Sequence, residues 1–251
     1  MGHRDPETRR ARRGPLLGGF LFLTSILSIV SIIAMIRSLV TMTYLNIHFR
    51  GEVDPFSRAI SYYVFYGDGR REFATSVIVL AVGTLTTLIG LRSAGLHLGV
   101  PATAFFAVWC TSLTLCAIFP TDGGKSISST SGLIHQVAGA SLFVSLPLAG
   151  LSLAKRLAAN ASWARIARVV RRMAVIAMGL AAGYLATRLP DIFPGLAIPG
   201  ILDGRGISGL VQRALFGIEM LMLMALAIHL LRVTVSTARE RREPARAEAA
   251  G

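Results

Sequence analysis

Asp122 and His135 are the two residues of this chain best placed to move a proton. Cys116-Ala-Ile-Phe-Pro-Thr-Asp122 closes one apolar segment, Gly123-Gly124 turns the chain, and His135 opens the next segment. A carboxylate held beside an imidazole can orient it or keep it protonated, which is the minimum for proton transfer. Glu219 is a second candidate acid. Gln212, Phe216 and Glu219 recur at i, i+4 and i+7, one face of a helix. At about 1.5 Å per residue, Glu219 falls roughly 16 Å below the start of that helix, near the middle of a bilayer. An acid at that depth is expected to face protein, protonated or paired. Arg37, the basic residue within a helix body, is a candidate partner, although its depth falls nearer the outer interface.

Two further acids beside prolines accompany Asp122: Asp54-Pro55 and Pro190-Asp191, each just beyond an apolar segment. Asp54-Pro55 also reads as a helix start, with the Asp capping free N–H groups and the Pro in the first turn. Phe56, Ile60, Tyr63 and Val64 then follow at helical spacing, with Ser57 and Ser61 on another face. This predicts a short helix along the membrane surface, either an aromatic anchor or a lid over a site. The segment 189–200 is apolar yet rich in Pro and Gly. Such backbone is tolerated at membrane depth only when packed on protein or lining a wet cavity, so it is expected to turn back toward the bundle with Asp191.

The elements that must hold these residues are membrane helices. The chain of 251 residues is 53% hydrophobic and 16% charged, against about 25% charged in soluble domains. Six apolar stretches, roughly 15–44, 74–94, 100–118, 132–154, 173–189 and 208–231, approach the ~20 residues of a membrane span. The net charge is +13, and its distribution sets the orientation. Arg4, Arg9, Arg10, Arg12, Arg13, Arg92, Lys155, Arg156, Arg165, Arg168, Arg171, Arg172, Arg232, Arg239, Arg241, Arg242 and Arg246 all fall on one side. By the positive-inside rule that side is cytoplasmic, and so are both termini. The basic patches are expected to attract anionic lipid rather than nucleic acid. Asp54, Asp122, His135, Asp191, Gln212 and Arg213 then gather on the outer face.

The domain organisation expected is a basic cytoplasmic head (1–14), one six-helix membrane domain (15–232) and a disordered cytoplasmic tail (233–251). The stretch 155–172 carries Trp163, Ile166, Val169 and Val170 among arginines, as an interfacial helix would. The first apolar stretch is too long for a signal peptide and lacks its cleavage site. Nearly all the basic residues are arginine, the habit of a GC-rich bacterial genome. Cys110 and Cys116 lie on different faces of one helix and read as buried thiols, giving neither a disulfide nor a metal spacing. His48 and His135 fall near the outer side and His97 and His229 near the inner side, the layout two b-type haems would need. His97 reads as a loop residue and His48 sits at a chain bend, so no haem b, no other cofactor and no metal are expected. The usual hydrolase and nucleotide motifs are absent.

Asp54…Ser57…Ser61-Tyr62, Phe119-Pro120-Thr121-Asp122 with His135 following, and Gly209-Leu210-Val211-Gln212-Arg213 resemble the prokaryotic membrane family catalogued as "domain of unknown function 998". The resemblance runs from about 15 to 232. It implies a six-helix integral membrane protein without an assigned activity and draws attention to Asp54, Asp122, His135 and Arg213. The expectation is an all-α multi-pass protein of the cell membrane. It would bind a lipid or small amphiphile in an outer polar vestibule formed by Asp54, Ser57, Ser61, Asp122, His135, Asp191, Gln212 and Arg213. Two alternatives stand beside it. One is a membrane-embedded hydrolase, transferase or cyclase acting on a lipid-like substrate, with Asp122, His135 and Glu219 as its catalytic groups. The other is a proton-coupled transporter carrying its proton on Glu219.

Overall fold

In the absence of water, a chain crossing a bilayer must satisfy its backbone internally, which for an apolar sequence like this means helices. The computed structural model describes residues 6–124, 127–192 and 204–249, with side chains described over 19–124, 127–188 and 206–240. It is all-helical: α1 (Pro6–His48), α2 (Gly69–Ser93), α3 (Val100–Ile118), α4 (Thr130–Leu157), α5 (Ala164–Ile192) and α6 (Ser208–Ala249). All six are long and apolar enough to cross a membrane, and no strand occurs among the described residues.

Each helix packs on its neighbours in sequence, and α6 closes the ring on α1. Helix α6 also touches α2 and α4, so it leans toward the middle of the bundle. Small and hydroxyl side chains let the helices approach, as is usual where lipid supplies no hydrophobic drive between them. Thr24, Ser28, Ser31, Met35, Ser38, Met42 and Leu45 form the buried stripe of α1, spaced alternately four and three residues apart. Across from it, the Ser31 hydroxyl donates to the Gly83 carbonyl oxygen at 2.8 Å, and the Ser38 and Ser76 hydroxyls lie 2.8 Å apart. On α5, Ala174, Ala177 and Ala181 are buried, and Gly150 of α4 abuts both Ala174 and Met222.

Several element ends differ from expectation. The surface helix after Asp54 is a capped turn followed by a short 3₁₀ helix, Ile60–Phe65. Helix α2 then starts at Gly69, immediately against the Tyr63 carbonyl, where a Cβ would overlap that oxygen. The interfacial stretch is the beginning of α5, with Trp163 buried just before it. Helical backbone in α5 continues past Pro190 to Ile192, and in α6 it continues past 232 to Ala249. The segment 193–203 and residues Lys125 and Ser126 lie outside the described residues, as does the side chain of Asp191.

Candidate functional site

The described residues of the α1–α2 and α3–α4 connections and the start of α6 lie at one end of the bundle. The polar residues singled out in the sequence separate there into two groups.

Arg213 organises the first group. Its Nε donates to Asn46 Oδ1 at 2.6 Å and one terminal nitrogen donates to the carbonyl oxygens of Pro55, Arg58 and Gly209, at 2.8, 2.7 and 3.0 Å. The other donates to the Tyr63 hydroxyl at 2.9 Å, and that hydroxyl donates on to Asn46 Oδ1 at 2.8 Å. The guanidinium therefore ties α1, α6 and the first connection together. Gly209 is needed for this, because a Cβ there would strike the carbonyl oxygens of Pro55 and Arg58. Asp54 belongs to the same group as a cap. Its carboxylate accepts from the Phe56 and Ser57 amides at 3.1 and 3.2 Å and from the Ser57 hydroxyl. The Ser57 hydroxyl, then the Phe56 amide, hold the Asp54 carboxyl below the usual range. Ser57 lends its carbonyl to the Ser208 hydroxyl at 2.9 Å.

The second group surrounds a cavity of about 290 Å³ between the upper halves of α4 and α5, roofed by the 3₁₀ helix and the α3–α4 connection. Ser61, Asp122, His135 and Gln212 line it, joined by Gln136, Tyr184 and Arg188, which the sequence reading did not single out. Gln212 is buried and engaged on both sides. Its Oε1 accepts from the Ile60 amide at 2.8 Å and its Nε2 donates to the Tyr184 hydroxyl at 3.3 Å. Leu133, Val137, Phe143 and Leu185 supply the apolar wall. Leu133 and Val137 are also exposed on the bundle surface, at 49% and 59%, so the apolar side of the cavity reaches the lipid-facing surface.

Asp122 and His135 share this cavity, but the carboxylate does not orient the imidazole. Asp122 instead accepts from the Ser128 and Ser129 amides at 2.8 and 3.1 Å and from the Ser129 hydroxyl at 2.6 Å. Those bonds, led by the Ser129 hydroxyl, hold its carboxyl below the usual range. Ser129 in turn caps α4, accepting from the Gly132 amide at 2.9 Å. The carboxylate sits so close to Gly132 that any Cβ there would collide with it. His135 Nδ1 lies 2.7 Å from the Phe119 carbonyl oxygen. A carbonyl can only accept, so Nδ1 carries a hydrogen and fixes the ring. Nε2 has no hydrogen-bond partner among the described residues and is not sealed from solvent. The Gln136 amide likewise makes no hydrogen bond to them.

Glu219 is fully buried, and its two carboxylate oxygens are the buried side-chain atoms without a partner among the described residues. Arg37 is not its counter-ion. It lies on the exposed face of α1, and the ion pairs among the described residues are those of Arg71 with Asp68 and Glu72. The other histidines are apart from the cavity: His48 stacks on Tyr44, His97 lines an open cleft at the far end, and His229 donates to the Ser162 carbonyl oxygen at 3.0 Å. No group of three or more metal-ligating side chains occurs among the described residues.

A ring of six apolar helices with a cavity at one end defines a multi-pass helical membrane protein. The family follows from the sequence match: residues 32–229 match the family model described as "Protein of unknown function (DUF998)", and the chain belongs to that family. No significant match is found among curated proteins or among solved structures.

Proposed function

We propose that this protein binds a lipid or another small amphiphile in the cavity between α4 and α5, on the outer face of a bacterial cell membrane. The observation that carries the reading is the cavity's two-sided lining. Leu133, Val137, Phe143 and Leu185 form an apolar wall continuous with the lipid-facing surface, while Gln136, His135, Gln212 and Arg188 supply polar contacts. Ligand sites typically combine such a wall with a few convergent polar groups. At about 290 Å³ the cavity has the volume of roughly ten liquid waters. It suits a headgroup and the first few methylenes, with any long chains left in the bilayer. The arginines of the far end, among them Arg92, Arg156, Arg165, Arg168, Arg171 and Arg172, support a cytoplasmic assignment for that end and attraction of anionic lipid there.

Gly139 provides the test. It lines the cavity, and a Cβ built on it meets nothing within 4 Å. Gly139→Leu therefore starts its side chain in open space within the site, and losing a mid-helix glycine adds about 0.5–1 kcal/mol of helix stability. Purified wild-type protein should retain an amphiphile detectable by mass spectrometry, and Gly139→Leu should lose it at undiminished thermal stability. An unchanged lipid complement in the variant refutes the reading. An enzyme acting on the same amphiphile is the second reading, favoured by one observation: His135 is held by Nδ1 with Nε2 left open, the posture of a general base.

A further inference from the structure

Below the ligand cavity lies a smaller chamber of about 60 Å³ that shares Ser61, His135, Gly139, Phe143 and Gln212 with it. At about 30 Å³ per water, the chamber holds about two waters, and His135, Gln212 and Ser61 supply the polar partners such waters need. Phe216 lines its lower side, and Glu219 follows on the same face of α6 one turn deeper. Among the described residues, the helices around Glu219 offer it no buried charge. Gly150 abuts Met222 and Ala174, so stepping one turn up brings Glu219 level with Pro147 of α4 and Ala177 of α5. Leu27 and Leu230 both flank Gly90, and stepping up from there brings Ser38 of α1, bonded to Ser76 of α2, to the same level. Of the described Asp, Glu, His, Lys and Arg side chains, only His135 and Glu219 are buried. Arg37, near this level on α1, points away to the outside.

A bare carboxylate enclosed in this way costs several kcal/mol, so Glu219 resides there as the neutral acid. Near this depth Pro147 has no N–H, so the Phe143 carbonyl lacks its helical donor, and neither Glu219 oxygen has a hydrogen-bond partner among the described residues. From this arrangement we infer that Glu219 is a proton site served from the ligand cavity, its proton passing by way of the small chamber, with Phe216 as the group that closes the path. The ligand in the cavity, on the reading proposed above, then sits across this approach and controls proton access to Glu219. The exchange is balanced: Glu219 gives its hydrogen to a chamber water and takes one back from it, and no other reactant is involved.

Deuterium exchange tests this without knowledge of the ligand. In protein reconstituted into vesicles of neutral phospholipid, the infrared carbonyl stretch of a protonated carboxylic acid should be present and should disappear in Glu219→Gln, which keeps the side-chain shape. On transfer to D2O the band should shift much faster than the buried backbone amides of α6 exchange, and Gly139→Leu should slow that shift by about tenfold or more. Three results overturn the inference: absence of the Glu219-dependent band, a shift no faster than the buried amides, or an unchanged rate in Gly139→Leu. Each is independent of the mass-spectrometric result. If the wild type holds no amphiphile but the band exchanges through the cavity as described, the ligand reading fails and the proton site stands.

Discussion

Gln212 and Arg213 are neighbours in sequence, yet they serve opposite sides of the same bundle end. Arg213 faces the clamp, where its donors meet Asn46, Pro55, Arg58, Tyr63 and Gly209. Gln212 faces the cavity, where His135 Nε2 and the Gln136 amide have no hydrogen-bond partner among the described residues. In the clamp, saturated hydrogen bonding fixes one arrangement of backbone. In the cavity, His135 is held in place at one nitrogen and left open at the other. Identical residue chemistry thus has different meanings, and the deciding quantity is whether its hydrogen bonds are already spent. Polar groups left open beside an apolar wall are the ones the proposed amphiphile would use.

Variants separate the two regions most sharply at Arg213. Arg213→Ala would leave three backbone carbonyls and Asn46 without a charged donor. Hydrogen bonds to charged groups contribute about 1.5–3 kcal/mol each and are not additive, so a loss of about 3–5 kcal/mol is expected. Thermal unfolding in detergent measures it. Arg213→Lys should recover less than half, because an ammonium cannot reproduce the planar fork. If Arg213→Ala lost bound amphiphile at unchanged stability, Arg213 would belong to the cavity and the division would fail.

The division explains what could be read in advance. The six spans were legible because apolar runs of membrane length leave little choice of structure. Asp54 was legible as a cap because its partners, Phe56 and Ser57, lie within three residues. The clamp was not, since Arg213 meets residues 150 or more positions away. For Asp122 and His135, the short α3–α4 connection foretold proximity but not partners: the carboxylate closed on Ser128 and Ser129, and the imidazole on Phe119. Arg188 and Tyr184 carried an unused signal, polar tips four residues apart on one face at the end of an apolar span. Gln136, beside His135, was another. The Arg37–Glu219 pairing failed because helix depth alone says nothing about which way a side chain points.

A middle-sized effect is expected at the roof of the cavity. Gly132→Ala places a Cβ on the Asp122 carboxylate, and relieving such an overlap costs about 1–3 kcal/mol. Acid should loosen the same connection. The hydrogen bonds that depress the Asp122 carboxyl contribute fully above the ordinary Asp value near pH 4 and are lost as pH falls through the lower folded value. Wild-type protein should therefore lose stability relative to Asp122→Asn as pH drops through that window. Parallel profiles for the two proteins would mean that the Ser128 and Ser129 bonds add nothing.

The smallest change in stability, and the finest test of the comparison, comes from dividing the two nitrogens of His135. Asparagine can place its amide nitrogen where Nδ1 stands, keeping the bond to the Phe119 carbonyl and deleting Nε2. Glutamine can place its amide near Nε2 while giving up the Phe119 bond. If one nitrogen fixes the ring and the other meets the ligand, His135→Asn should stay within about 1 kcal/mol of wild type in thermal unfolding. It should nevertheless lose most of the co-purified amphiphile. His135→Gln should show the reverse order, with a larger stability loss and more amphiphile retained. Equal retention in both variants would show that Nε2 faces the cavity without taking part in binding, leaving His135 a brace between α3 and α4 that belongs with the clamp in kind.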